Sequence, residues 1–155
     1  MPKFSTAIIG SPAPLPAPSA DPLITERTIF NDDRTHRFTL FRYWGNPEDY
    51  ACGISMNPSG ATEDAGDPTV DGMARRAREY WGVGAYYQLN AMSIRGTYSS
   101  DLSTTSVVNL PENDEWIRRI AARARIVVVS WGNLGHKSGR GPALETILRE
   151  VCAPE

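Results

Sequence analysis

Histidine is scarce in this chain of 155 residues: there are two, His36 and His136, and neither precedes a proline. Cysteine is as scarce, and Cys52 and Cys152 stand far apart. That spacing excludes a zinc cluster and a disulfide-dense secreted fold, and it reads as reduced core thiols in a cytoplasmic protein. No apolar run approaches the ~20 residues needed to span a bilayer. The amino end carries no basic segment followed by an unbroken apolar stretch, so neither a membrane anchor nor a secretory signal is expected. A P-loop, a dinucleotide fingerprint and a Gly-x-Ser-x-Gly elbow are all missing, and no cofactor or metal is expected. Charge of one sign is also lacking. A formal net charge of -2 offers no whole-chain attraction to nucleic acid, although a local basic face is compatible with that total.

What is present is the composition of an ordinary globular domain, 41% hydrophobic and 22% charged, with a length suited to one domain. Residues 1–22 are rich in proline, with Pro12, Pro14, Pro16 and Pro18 alternating with small residues. They show no helical or strand periodicity and read as an extended arm. Residues 23–155 form the single domain. Two strand-like runs, Leu23 to Phe30 and His36 to Trp44, flank Asn31-Asp-Asp-Arg34 and predict an edge hairpin, with Phe38 and Leu40 on one face and Arg37 and Thr39 on the other. His36 is expected at the surface beside Asp32 and Asp33.

The central stretch is Tyr50 to Thr69, an apolar strand that runs into a polar, proline-broken loop and then a helix. The helix spans Thr69 to Trp81, with Val70, Met73, Ala74, Ala77 and Trp81 inward and a solvated face of Arg75, Arg76 and Arg78. Asp67 before Pro68 suits a helix N-cap. Ala85 to Asn90 is a second buried strand, Ala91 to Pro111 a long Ser/Thr-rich loop, and Pro111 to Arg123 a helix with acidic residues in its first turn. Arg125 to Trp131 is apolar on both faces, as a central parallel strand is. A polar loop, Gly132 to Gly141, and a closing helix from about Pro142 follow. This alternation predicts an α/β three-layer sandwich, with a short central parallel sheet, helices on both faces and the amino-terminal hairpin at its edge.

Three strand ends then meet on one rim: Met56-Asn-Pro-Ser59, Leu89-Asn-Ala-Met92 and Ser130-Trp-Gly-Asn133. In an open α/β sheet ligands bind beyond the carboxyl ends of the strands. The order Met-Asn-Pro-Ser, Asp-Pro-Thr, Leu-Asn, Pro-Glu-Asn-Asp and a Val-rich strand ending Trp-Gly resembles a bacterial and phage family known only as a domain of unknown function, over roughly residues 38 to 150.

The chain is also distantly similar to the uracil-DNA glycosylase superfamily. That resemblance implies a uracil-DNA glycosylase-like fold and a monomeric hydrolase that breaks the N-glycosidic bond of a base flipped out of DNA. By it, Asn57 and Pro58 stand at the motif that holds the hydrolytic water, Leu89-Asn90 presents an amide to the base edge, and Trp131-Gly132 closes a later strand. Small Ser59, where uracil-specific members have tyrosine, implies room for a 5-substituted pyrimidine, and hence repair or defence against modified phage DNA. Asn57, Asp67 and His136 are the expected catalytic residues. Met56, Pro58, Ser59, Asn90 and Trp131 are expected to contact substrate, and Arg95, Tyr98, Lys137 and Arg140 to contact DNA. The superfamily's His-Pro-Ser type loop is missing, and His136 is the histidine available to replace it. Two other readings keep the same rim. One is a hydrolase of free nucleotides or nucleosides with Mg²⁺ on Glu63, Asp64 and Asp67; the other is a non-catalytic module that binds a modified base.

Overall fold

The computed structural model describes residues 8–9, 28–62, 65–95 and 108–152, without the side chains of residues 8, 9 and 134–136. The elements are β1 (Ile8–Ile9), β2 (Ile29–Phe30), β3 (Arg37–Tyr43), β4 (Tyr50–Ser55), α1 (Pro68–Glu79), β5 (Ala85–Asn90), α2 (Pro111–Arg123), β6 (Ile126–Ser130), α3 (Gly132–Lys137) and α4 (Arg140–Val151). One mixed sheet runs in the order β1-β6-β4-β5-β3-β2. Its centre, β6-β4-β5, is parallel, and β3 lies antiparallel to β5. The chain is thus of mixed α/β class, with the expected hairpin at one edge.

Alternation of side chains along β4, β5 and β6 divides two cores. Tyr50, Cys52, Ile54, Tyr87, Leu89, Val127 and Val129 face α2 and α4, which contribute Trp116, Ile117, Ile120, Leu144 and Leu148. On the other face Ala51 and Tyr86 meet Ala77 of α1, with Met73, Ala74 and Trp81 alongside. The Tyr50 hydroxyl donates to the Ile120 carbonyl at 2.7 Å, so the polar end of a buried aromatic ties the sheet to α2. Cys52 lies in the first core, where burial raises its thiol well above the usual range and leaves it protonated. Both cysteines are free.

The second face has a polar seam. The Tyr86 hydroxyl donates to Gln88 Oε1 at 2.7 Å, and Gln88 Nε2 donates to Ser55 Oγ at 3.0 Å. Gly53 makes room for it, because a methyl there would overlap the Tyr86 hydroxyl. Gly53→Ala is therefore expected to destabilise the fold by about 1–3 kcal/mol, the usual cost of overpacking. Adding Tyr86→Phe should recover part of that loss in urea denaturation, since it removes the atom that clashes.

Four expectations are corrected here. Ile8–Ile9, assigned to a structureless arm, pair antiparallel with Val127 and Val128 at the edge of the sheet; other residues of that arm and 23–27 lie outside the described residues. Phe38 and Leu40 do not share a face: Phe38 packs in the α2/α4 core and Leu40 with Ala61 and Val70 under α1. The cause is a slip in pairing. Ile29 stands opposite Thr39 but Phe30 opposite Arg37, two residues of β3 against one of β2, the count of a β-bulge. The stretch after β6 is helical from Gly132 to Lys137, not a loop, and the closing helix begins at Arg140.

His36 is the fourth. It is buried, and its Nδ1 lies 2.8 Å from Ser93 Oγ, which also accepts from the Leu110 amide. Ser93 Oγ still has a second lone pair and its own proton to offer, so which of the two groups donates follows the tautomer of the ring. Burial lowers the His36 pKa below its ordinary 6.5, against Asp33 and Glu112, which raise it. A base whose folded pKa is depressed binds protons more readily when unfolded, so stability is full above the unfolded pKa. It is expected to fall as pH drops from about 6.5 toward the lower folded value. Urea midpoints measured from pH 7.5 to 5 should show this slope in the native chain and a weaker one in His36→Gln.

Candidate functional site at the carboxyl edge of the parallel strands

The parallel centre of the sheet reverses direction at β4. From β4 the chain crosses through α1 to β5 on one side; from β5 it crosses through α2, on the other face, to β6 on the opposite side of β4. Loops that leave toward opposite faces open a crevice at that end of the sheet. Its floor is one row of residues in register: Ser130, Ser55 and Asn90, paired across β6, β4 and β5. The Ser55 and Ser130 hydroxyls lie 3.3 Å apart. Asn57 follows two residues after Ser55, half-buried, with its Nδ2 at 3.4 Å from the Pro58 carbonyl.

Asn90 is held from three directions. Its backbone nitrogen and carbonyl belong to the end of β5, and that carbonyl also accepts from Asn113 Nδ2 at 2.9 Å. Its side-chain Oδ1 accepts from Arg37 Nη2 at 3.2 Å. Its Nδ2 makes no hydrogen bond among the described residues. Arg37 was not foreseen as a site residue. It is 1% exposed, and its Nη1 donates at 2.7 Å to the carbonyl of Ala61 in the loop that follows β4. Its Nε has no partner among the described residues. Burial lowers the Arg37 pKa to about 10, with Asp67 opposing that shift, so the guanidinium is still charged at neutral pH. The signal that could have found it is an arginine in the apolar run of β3, but its direction depends on the bulge, and no periodicity encodes that.

Asp67 caps α1. Its Oδ1 accepts from the amides of Thr69 at 2.8 Å and Val70 at 2.9 Å, and Ser59 donates to its Oδ2. Cap and loop are thereby one unit: Ser59, in the loop beyond Asn57-Pro58, is tied to the first turn of the helix. Three hydrogen bonds thus hold the Asp67 carboxylate, as the cap of α1 and the anchor of Ser59. Glu63 and Asp64, the other ligands of the Mg²⁺ reading, lie outside the described residues. Among the described residues no group of three or more His, Cys, Asp or Glu stands close enough to hold a metal.

Residues 37–154 match the protein family described as "Protein of unknown function (DUF1643)". The chain belongs to the DUF1643 family. The matched stretch opens at Arg37 itself and runs through α4, so it contains every part of the crevice described above. No curated protein and no solved structure matches the chain.

Within this DUF1643 domain, three residues expected at the rim, Trp131, Arg140 and Met56, have their side chains engaged elsewhere. Trp131 is buried in the α2/α4 core, because it follows Ser130 by one and alternation sends it to the opposite face from Asn90. It packs as a core residue. Arg140, expected to contact DNA, is engaged within the domain. It forms an ion pair with Asp114 and donates through Nε to the Ala91 carbonyl at 2.8 Å, fastening the start of α4 to the end of β5. Met56 also packs its side chain toward the α2/α4 core, while its carbonyl accepts from the Met92 amide at 2.8 Å. Pro58 is buried and Lys137 exposed. Arg95 sits at the rim: its guanidinium lies 5.0 Å from the Phe30 ring, with that of Arg34 at 3.8 Å over the same ring. Tyr98 and the side chain of His136 lie outside the described residues. No helix among the described residues is long and apolar enough to cross a membrane.

Proposed function

We propose that this protein is a DNA glycosylase that hydrolyses the N-glycosidic bond of a flipped, 5-substituted pyrimidine. The observation that carries the reading is the pair of amides at the switch point. Asn90 and Asn57 stand at the carboxyl ends of two adjacent parallel strands, and the Asn90 amino group makes no hydrogen bond among the described residues. Breaking this bond puts negative charge on the departing base and positive charge on the sugar. The chemistry asks for an oriented water and for donors aimed at the base, both fixed before reaction. Asn57 would orient the water, without needing a shifted pKa, and Asn90 would donate to the base. Ser59, small and tied to Asp67, leaves space beside the pyrimidine 5 position.

A DNA partner is supported by local charge. Arg34 and Arg95 share the Phe30 ring at the β2 edge of the sheet, and Lys137 lies on the exposed end of α3. Contacts of this kind release counterions, so duplex affinity should fall steeply as salt rises. The test is incubation of the full chain with duplexes carrying thymine or bulkier 5-substituted pyrimidines, followed by chromatography for free base and alkaline cleavage for abasic sites. Free base and an abasic strand in equal amounts support the reading. Salt-dependent binding without product from any duplex points instead to a base-recognition module.

A further inference from the structure

We propose that Arg37 is the positioning residue that sets which end of the Asn90 amide faces the crevice, and with it the choice of a 4-oxo over a 4-amino pyrimidine. This rests on the reading of the crevice as a place where a base is recognised. A guanidinium carries only donors. The atom of Asn90 that meets Arg37 Nη2 must therefore be the amide oxygen, and the amino group is turned away from Arg37. A freely rotating asparagine could present either end and would accept both kinds of base. Held as it is, buried Asn90 has only its amino group, which makes no hydrogen bond among the described residues, left to meet a base, and that end suits a carbonyl at position 4 and meets an exocyclic amino group donor to donor.

Arg37 is itself locked. It is buried, and its second arm, Nη1, is fixed on the Ala61 carbonyl. The bulge between β2 and β3 turns Arg37 beneath α1 in place of the next residue in the alternation. One side chain thus joins β3, the end of β5 and the loop carrying Asn57 and Ser59. A lysine cannot reproduce that fork, because a single ammonium on a flexible stem holds no fixed pair of directions.

The experiment compares wild type, Arg37→Met and Arg37→Lys. Each is titrated by NMR with the free bases thymine and 5-methylcytosine and assayed for release of those bases from otherwise identical duplexes. Wild type is expected to favour thymine about 10- to 100-fold, the range set by leaving a buried donor opposed. In Arg37→Met the ratio should fall toward one, with Arg37→Lys retaining part of it. Should Arg37→Met fail to fold, Arg37→Lys decides, and a ratio several-fold below wild type is expected. A variant that keeps the wild-type ratio and loses only overall affinity or rate overturns the assignment, because that is what a purely structural role produces. Discrimination between free bases that depends on Arg37, with no release from any duplex, leaves the assignment standing and removes the glycosylase reading. Wild type that does not discriminate between the two bases overturns the assignment.

Discussion

Asn57→Ala is expected to reduce base release by about 10²- to 10³-fold, the usual effect of removing one fixed polar group from a transition state. Duplex affinity should remain within a few-fold of wild type, as should the urea midpoint. The argument is local. Asn57 is half-buried, beyond the last ladder bond of β4, and its Nδ2 bonds its own neighbour, Pro58, at a long 3.4 Å. Its neighbours are different: Pro58 is buried, and the Ser59 hydroxyl is committed to Asp67. Single-turnover release from a 5-substituted duplex, with binding measured separately, checks the split. A variant that loses affinity and rate together would place Asn57 in binding alone.

The second large effect is on stability. Ile54→Ala is expected to cost about 2–5 kcal/mol, the range for emptying a buried Ile or Leu position. Ile54 is fully buried on the central strand and stands in register between Leu89 and Val129, with all three in the core under α2 and α4. Two flanking strands and two helices cannot all close on the void, so the loss should lie well above that of a surface change. For a domain of this size the shift in Tm is roughly 5–20 °C. Arg76→Ala, on the exposed face of α1, is the control and should stay within about 0.5 kcal/mol. Differential scanning calorimetry on both variants measures the contrast, and equal shifts would mean that the β4 core is not closed as described.

Strong periodicity made much of this architecture legible. The run of valines in β6, buried on both faces, announced a central parallel strand, and the acidic first turn after Pro111 located α2 to the residue. Asp67-Pro-Thr announced the start of α1 and its cap, and the structure shows that cap with two backbone amides on one carboxylate oxygen. Three things were not legible, each for a physical reason. A bulge shifts alternation without a sequence signature, so Arg37 read as lying on the face opposite Leu40, yet both meet Ala61 beside α1. A two-residue edge strand such as β1 is too short to show a period. The glycine-rich stretch after β6 reads as a loop because Gly132, Gly135 and Gly139 are poor helix formers, yet Gly132 at a positive φ of 63° starts the short α3 and Gly139 at 78° separates it from α4.

At the site itself, parity was the useful guide and was not followed far enough. Ser130 and Trp131 are neighbours, and only one of them can share a face with Asn90; Ser130 does. The same count turns Met56 toward the α2/α4 core. Arg140 was read as a free basic residue because its partner, Asp114, lies in a different helix, and pairing between helices leaves no trace in local spacing.

The most direct measurement is a crystal structure of Asn57→Ala bound to a duplex with one 5-substituted 4-oxo pyrimidine. The account predicts that base turned out of the stack, its 4-oxo oxygen within hydrogen-bonding distance of Asn90 Nδ2 and its 5-substituent toward Ser59, with Arg37 still on Asn90 Oδ1. A base left stacked in the duplex, or seated against another part of the sheet with Asn90 untouched, would contradict it.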